Sequence, residues 1–244
     1  MRATGFVVFL VVAALCTSAL GGEAGQKIKV LIVTGGHGFQ KGPFLKMFED
    51  NADITFTAAP QGKSSEAYDR EDLYDFDVVV LYDLVQKITE TQKRRFLALF
   101  DKGVGLVALH HCLASYQAWG EFEKILGGKY LLKEEKRGDK TWPASGFRHG
   151  VDIPVKIVSA QHPITTGMSD YTIHDEVYWG CRISTAVTKL ITTDHSQSAP
   201  VRGWCHTYRA ARVVYLMGGH DATAYNDANY RRLVARAIQW AASK

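Results

Sequence analysis

Three stretches of the chain are apolar at nearly every position, which is the pattern of strands buried on both faces of a sheet. They are residues 28–33, 77–82 and 104–109, and each is rich in Val, Ile or Leu. A weaker strand is predicted at 53–57. Strands of this kind lie in the middle of a parallel sheet.

Segments with a helical spacing of apolar residues alternate with these strands. Thr89 and Gln92 form a capping-box pattern at the start of one helix. Another helix is predicted over 115–126, and a last one begins at Asn226 or Asp227. The alternation predicts an α/β fold, a three-layer sandwich in which helices cover both faces of a mostly parallel central sheet.

The second half of the chain alternates less clearly. Residues 127–150 are rich in Lys, Glu, Gly and Arg, and we expect a long loop or insertion that borders a site. With no internal repeat and no low-complexity linker, residues 27–242 are predicted to form a single domain. Further strands are predicted at 153–158, 190–193, 203–208 and 213–217.

Residues 1–24 are predicted to be an export signal peptide. Arg2 precedes the apolar run 5–15, which is too short to span a bilayer, and small residues follow through Gly25. Cleavage between Ala19 and Gly25 fits these small residues, and an uncleaved N-terminal anchor is the alternative. We therefore expect an exported protein, periplasmic or extracellular, with no membrane span after signal removal.

The composition excludes several classes of protein. Hydrophobic residues make up 46% and charged residues 22% of the 244 positions, which excludes disordered and collagen-like chains. The net charge is only +4 and the basic residues are scattered, so we expect no nucleic-acid partner. Cys112, Cys181 and Cys205 form no CxxC pair, so neither a disulfide scaffold nor a zinc ribbon is indicated. One disulfide with one free thiol stays open.

The nine histidines are the unusual feature, because imidazole titrates, binds metals and transfers protons near neutral pH. His37, His110, His111 and His220 follow predicted strands, and His37 and His220 each come after a Gly-Gly pair. Ligands of open α/β sheets bind beyond the carboxyl ends of the strands. We therefore predict that His110 and His111 are catalytic and that His37 and His220 bind substrate. Hydrogen-bonded turn residues are the alternative.

The segment 173–179 carries an imidazole, a carboxylate and a phenol at alternate positions. If it is extended, His174, Glu176 and Tyr178 share one face. Glu176 is then the predicted acid–base partner, and His174 and Tyr178 are predicted to bind substrate. A polar strand edge with one buried tyrosine is the alternative. The remaining histidines have weaker claims, and they are His149, His162, His195 and His206.

Cys112 must also be weighed as a nucleophile, since class I glutamine amidotransferases carry a cysteine on such a strand-to-helix turn. Here Cys112 comes late after the strand, and Leu113 and Ala114 stand where flanking glycines are expected. Amidotransferase activity is therefore the weakest of the hypotheses.

Four motifs in order resemble the ThuA-like (trehalose utilisation) family, and the resemblance covers nearly the whole chain after the predicted signal. The motifs are Leu106-Val107-Ala108-Leu109-His110-His111, His162-Pro163-Ile164-Thr165-Thr166-Gly167, His174-Asp175-Glu176-Val177-Tyr178 and Gly218-Gly219-His220-Asp221. The last motif adds Asp221 to the expected substrate-binding residues. One departure is Arg209-Ala210-Ala211-Arg212, which replaces a glycine-containing turn.

The resemblance implies a flavodoxin-like, class I glutamine amidotransferase-like fold in which the elbow cysteine is replaced by histidine. It also implies a role in carbohydrate metabolism, beside sugar dehydrogenases in pathways that pass through keto-sugars.

Three functions follow from these residues. The first is an exported enzyme, a hydrolase, lyase or isomerase, that acts on a sugar or keto-sugar glycoside through His/Glu acid–base chemistry. In the second, a divalent metal such as zinc is bound by three or four residues among His37, His110, His174, Glu176 and His220, and no cofactor is certain. The third is a non-catalytic sugar-binding or accessory module with tryptophan platforms among Trp119, Trp142, Trp179 and Trp204. The expected partner is a small carbohydrate, and a homo-oligomer is compatible with each function.

Overall fold

In the computed structural model, which describes Met1 and residues 26–243, the apolar runs form the centre of a nine-stranded mixed sheet. The predicted signal peptide lies, apart from Met1, outside the described residues. The strands are β1 (Ile28–Gly35), β2 (Ile54–Gln61), β3 (Val78–Asp83), β4 (Gly105–Leu109), β5 (Gly128–Lys129), β6 (Glu135–Arg137), β7 (Lys140–Trp142), β8 (Gly146–Ile157), β9 (Tyr171–Trp179), β10 (Arg182–Ile183), β11 (Thr188–Thr192), β12 (Val201–Tyr208) and β13 (Ala211–Leu216).

The order of strands in the sheet is β2-β1-β3-β4-β13-β12-β11-β8-β9. The five strands from β2 to β13 pair in parallel. The pairs from β13 to β9 are antiparallel. The predicted α/β fold with a mostly parallel sheet core is confirmed, and an antiparallel half extends it on one side.

Helices cover both faces of this sheet and bury its apolar side chains. They are α1 (Lys41–Glu49), α2 (Glu90–Asp101), α3 (Gly120–Leu126), α4 (Ala222–Asn226) and α5 (Ala228–Ala242), with single 3₁₀ turns at Glu66–Asp69 and His110–Ala114. Phe96 of α2 and Phe122 of α3 belong to the core of one face. Phe44 of α1, Tyr225 of α4 and Ile238 of α5 belong to the core of the other.

The helix starts follow their capping residues. The Thr89 hydroxyl accepts a hydrogen bond from the Gln92 amide, and the Gln92 side chain accepts one from the Thr89 amide, so the predicted capping box is present. The Asp227 carboxylate accepts from the amides of Asn229 and Tyr230. Asp227, and not Asn226, therefore caps the last helix.

The helix predicted over 115–126 is wrong in its first half. Ser115 is extended, Tyr116 has a left-handed φ of 47°, and the helix begins only at Gly120. The Ser115 hydroxyl donates to the carbonyl of Asp83, which draws this segment back against the end of β3. This contact joins residues far apart in the chain, and helical spacing does not reveal it.

Residues 127–150, predicted to be a long loop or insertion, contain regular secondary structure. They contain β5, the β6–β7 hairpin and the start of β8. Lys129 and Arg182 both pair with Glu135, and Arg182 lies on β10, which pairs with β5. A charged segment is thus ordered by ion pairs and strand pairing with residues beyond it.

The hairpin at Arg209 keeps its turn without a glycine. Arg209 itself takes a left-handed φ of 53° between β12 and β13, and its guanidinium lies 2.7 Å from the Asp101 carboxylate. In the part of the chain that the structure describes, no helix is both long and apolar enough to cross a membrane.

Candidate functional site

His110 stands on a sharp turn at the carboxyl end of β4. Its φ is +52°, a left-handed value that costs a non-glycine residue energy and is typical of functional elbows. Tyr215 donates to the His110 carbonyl oxygen at 2.8 Å, and His110 Nδ1 lies 2.9 Å from the carbonyl oxygen of Met217. Both contacts come from β13 or its end, so the neighbouring parallel strand holds backbone and ring in place.

Glu176 projects from β9 into a ring of imidazoles. Its Oε2 lies 2.9 Å from His110 Nε2 and 3.3 Å from His220 Nδ1, and its Oε1 lies 3.1 Å from His149 Nδ1. The carboxylate is only 4% exposed. Burial opposes ionisation, but hydrogen bonds from His110 and His220 outweigh it and hold the pKa of Glu176 well below its ordinary value.

Two histidines around this carboxylate differ in exposure. His220 is partly buried, and its hydrogen bond to Glu176 raises the pKa of His220 above the ordinary value. His149 is exposed, and its ring centroid lies 4.3 Å from that of His220. The site therefore pairs a buried anion with imidazoles that reach from the protein interior out to solvent.

Tyr178 lies two residues after Glu176 on the same face of β9. Its hydroxyl is 3.0 Å from His110 Nε2, and its ring stacks on the His110 ring at a centroid distance of 5.1 Å. Burial raises the pKa of Tyr178 well above its ordinary value, so the phenol keeps its proton. The predicted face of β9 thus does bring Glu176 and Tyr178 together.

His174 belongs to that face by spacing but does not reach the cluster. Its ring is half exposed, and Nδ1 lies 2.7 Å from the Asp152 carboxylate on β8. Two residues along a strand span about 7 Å, which carries His174 beyond the end of the cavity. The structure does not place His174 among the substrate-binding residues.

Asp221, predicted to bind substrate, lies at the start of α4. Its carboxylate accepts from the Thr223 amide at 2.8 Å and from the Ala224 amide, so it caps α4. Asp221 does not line the cavity described below. Its position in a motif beside His220 reflects the start of a helix.

His111 and His37 form the other side of the site. The His111 ring packs 4.4 Å from Tyr82 and 4.8 Å from His37, between centroids. Burial first, and then the nearby His110, lowers the pKa of His111 well below its ordinary value, so its imidazole is neutral. Within the described residues neither ring nitrogen of His111 has a hydrogen-bond partner.

These side chains enclose a cavity of about 180 Å³. Phe147 and Leu132 line it with about half of each side chain exposed, which provides an apolar wall beside the polar cluster. The tryptophans named as platforms are not in its lining. The polar lining consists of His37, His110, His111, His149, His220, Glu176, Tyr130 and Tyr178.

Two residues of the site were missed or misjudged from the sequence. His149 has a direct contact with Glu176, although it was given a weak claim; its place in 127–150, the segment expected to border a site, was the available signal. Asp175, on the opposite face of β9, accepts from the amides of Gly219 and His220 at 2.8 and 3.0 Å. It thereby positions the loop that carries His220.

Cys112 does not have the environment of a nucleophile. Its side chain is fully buried in the apolar core, and burial raises the pKa of the thiol well above its ordinary value. The elbow position belongs to His110. Cys112, Cys181 and Cys205 are all free thiols in the structure.

The cluster also has the composition of a metal site. One ligand atom each from His110, Glu176 and His220 lie within 4.8 Å of one another. Two imidazoles and a carboxylate form a common set of protein ligands in catalytic zinc sites.

A family model confirms the resemblance of the four motifs. The trehalose utilisation (ThuA) model matches residues 29–241. The chain belongs to the ThuA family. A comparison with curated proteins finds no match.

Solved structures similar to this chain include further ThuA-like proteins. One from Parabacteroides merdae has a TM-score of 0.75 at 18% identity, over 89% of this chain and 91% of that one. One from Bacteroides uniformis has a TM-score of 0.64 at 16% identity, over 88% and 91%. A β-galactosidase from Rahnella matches at a TM-score of 0.56 and 13% identity, over 88% of this chain but 31% of its own. At these identities the likeness shows a shared fold.

Proposed function

We propose that this ThuA family member is an exported enzyme that acts on a sugar or keto-sugar glycoside by acid–base chemistry. The family connects the chain with carbohydrate metabolism. The observation that supports acid–base chemistry is the contact of 2.9 Å between His110 Nε2 and Glu176 Oε2, on a left-handed elbow in the wall of a cavity.

The arrangement suits removal of a proton next to a ketone. His110 Nε2 takes the proton from the carbon beside the carbonyl, the C–H electron pair forms a C=C bond, and the π pair of the carbonyl moves onto its oxygen to give an enolate. Glu176 stabilises the imidazolium, and the protonated Tyr178 supplies a hydrogen bond to the developing oxyanion. Such a base contributes roughly 10²- to 10⁴-fold to the rate.

The remaining side chains suit a neutral ligand with many hydroxyl groups. His37, His149 and His220 line the cavity and can donate to or accept from sugar hydroxyls. Phe147 offers an exposed ring against which the apolar face of a sugar can pack. A cavity of about 180 Å³ is small, which favours one sugar ring inside and the rest of the glycoside at the mouth.

The test compares turnover of a 3-keto-glycoside with that of the parent glycoside. We expect His110→Ala and Glu176→Ala to lower turnover of the preferred substrate by about 10²-fold or more. His174→Ala is the matched control, since it removes an imidazole of the same strand outside the cavity. Full activity of both cavity variants, with melting temperatures like wild type, would refute the proposal.

A sugar-binding module is the second candidate, and the exposed apolar wall of Phe147 and Leu132 favours it. Saturable binding of the 3-keto-glycoside without any turnover would show that the protein is a binding module and not an enzyme.

Export is tested separately. Expression in a Gram-negative host, cell fractionation and N-terminal sequencing should find a mature chain that begins between residues 20 and 25. A full-length protein in the cytoplasm would contradict export.

A further inference from the structure

The hydrogen bonds around Glu176 do not balance if the imidazoles are neutral. The Met217 carbonyl oxygen only accepts, so His110 Nδ1 carries the hydrogen of their 2.9 Å contact. In a neutral imidazole Nε2 then has only a lone pair, and it faces Glu176 Oε2 at 2.9 Å. Tyr178 can donate one hydrogen to Nε2, but the carboxylate oxygen still faces a nitrogen without hydrogen. Either a second hydrogen on the ring, which makes it an imidazolium, or a metal ion must therefore lie between these two acceptors.

Two other imidazoles, those of His220 and His149, also place a ring nitrogen against a carboxylate oxygen of Glu176. His220 Nδ1 lies 3.3 Å from Glu176 Oε2, and His149 Nδ1 lies 3.1 Å from Oε1. The rings of His149 and His220 are only 4.3 Å apart, so two protonated imidazoles there would repel each other. A single divalent cation would satisfy the carboxylate and the nitrogen lone pairs together.

We propose that His110 Nε2, His220 Nδ1 and Glu176 Oε2 bind one divalent first-row transition metal ion, zinc in first place, with a coordination position open to the cavity. Ligands at about 2.05 Å from a tetrahedral zinc ion lie about 3.3 Å from one another. The three ligand atoms lie within 4.8 Å of one another, and the partly exposed His220 can close the remaining distance. Imidazole nitrogen and carboxylate oxygen together suit zinc better than calcium or magnesium.

The surroundings of the three ligands support this assignment. Histidine ligands usually donate their second nitrogen to a carbonyl or carboxylate, which fixes the tautomer and the ring orientation. The Met217 carbonyl does this for His110. Asp175 holds the backbone of His220 through the amides of Gly219 and His220. His149, on the outer oxygen of Glu176, lies beside the open position.

The inference rests on the proposed function for the location of the substrate, and it changes the role of one residue. With His110 Nε2 bound to the metal ion, the proton is taken by an imidazole that stays free, and His149, in contact with Glu176 Oε1, lies beside the open position. A metal ion in this place polarises a carbonyl or hydroxyl oxygen of the sugar, a role beyond that of the imidazoles alone. The substrate class is then a sugar whose ketone or neighbouring hydroxyl can bind the open position.

The binding test uses the full mature chain purified without a polyhistidine tag and stripped of metal with a chelator. Titration with zinc sulfate, followed by calorimetry and elemental analysis, should give one zinc ion per chain. His220→Ala and Glu176→Ala should each weaken binding by on the order of 100-fold or more. His174→Ala, which removes an exposed imidazole paired with Asp152, should bind zinc like wild type.

His220 is partly exposed, so His220→Ala is the variant expected to keep its fold, and thermal melting checks this. Cobalt(II) gives a second readout, because its visible absorption reports nitrogen and oxygen coordination in wild type without any variant. Absence of zinc binding by wild type would overturn the inference. So would wild-type affinity in folded His220→Ala.

Activity separates the inference from the proposed function. Metal-free protein that turns over the 3-keto-glycoside as fast as zinc-loaded protein would overturn the role of the metal and leave the proposed enzyme standing. Zinc-loaded protein that turns over no glycoside would uphold the metal site and overturn the proposed enzyme.

Discussion

Two buried carboxylates at the same edge of the sheet show how neighbours decide the state of an acid. Glu176 faces imidazoles, which hold its pKa low, so it is an anion at neutral pH. Asp83, at the end of β3, is fully buried and has only neutral donors, Gln61 at 2.7 Å and Tyr116 at 3.3 Å. Burial raises the pKa of Asp83 to about 7.

Asp83 and Glu176 also differ in their hydrogen-bond partners and in their access to the cavity. Among the described residues, Asp83 Oδ1 has no hydrogen-bond partner, and the side chain does not line the cavity. Glu176 lines the cavity and has partners that can exchange protons or share a metal ion with it. The proposed catalytic role of Glu176 therefore depends on its imidazole partners and its access to the cavity.

The largest expected effect is the pH dependence of stability at Asp83. Its pKa rises from 3.8 in the unfolded chain to about 7 in the fold, so its protonated form is stabilising. That contribution is complete below pH 4 and is lost as the pH rises through 7, by about 4 kcal/mol in total. Asp83→Asn should remove this slope.

The measurement is the free energy of unfolding by urea, for wild type and Asp83→Asn, at several pH values between 5 and 9. The stability of the variant relative to wild type should increase with pH. A constant difference across this range would contradict the account of Asp83.

Gly219 lies in the loop that carries His220, and a substitution there should disturb the Glu176 cluster. Its φ is +102°, and a Cβ there would overlap the Tyr230 hydroxyl. Gly219→Ala should therefore destabilise the fold by about 2 to 3 kcal/mol and displace His220. Thermal unfolding and zinc affinity are the readouts. Gly38→Ala is the control, because a Cβ at Gly38 meets no atom within 4 Å; equal effects of the two substitutions would refute the prediction.

The smallest effect concerns a third carboxylate near the site, Asp221. It caps α4, so Asp221→Ala should lower the free energy of unfolding by about 1 kcal/mol. KM for the glycoside should stay unchanged, because the side chain does not line the cavity. A raised KM with unchanged stability would instead restore Asp221 to substrate binding.

The elements that the sequence predicts well are those whose signals are local. The apolar runs of β1, β3 and β4 and the capping box at Thr89 depend on neighbours in the chain, and the structure confirms them. The hairpin of β6 and β7 is held by pairs such as Lys129 with Glu135, in a segment whose polarity resembles that of a loop. Strands held by ion pairs in a polar segment show little of the alternation of apolar and polar residues from which strands are predicted.

The site residues also fall into two groups, those whose position the sequence indicates and those whose position it does not. His37, His110, His111 and His220 follow parallel strands, where topology alone places them at one edge of the sheet, and all four line the cavity. His149 comes from β8, whose pairing with β9 shifts register between Arg148 and Val151. Residues 127–150 are expected to border a site, but strand alternation does not show this register shift. The sequence therefore does not reveal that His149 contacts Glu176 and that His174 lies outside the cavity.

We propose that Glu176 and its imidazoles form a catalytic centre, whereas Asp83 supports the fold. The most direct measurement is turnover of the 3-keto-glycoside by Glu176→Gln and Asp83→Asn, side by side, with both proteins shown to be folded. We expect Glu176→Gln to lose about 10²-fold or more in kcat and Asp83→Asn to keep wild-type kcat. Comparable kcat values in the two variants would contradict the account.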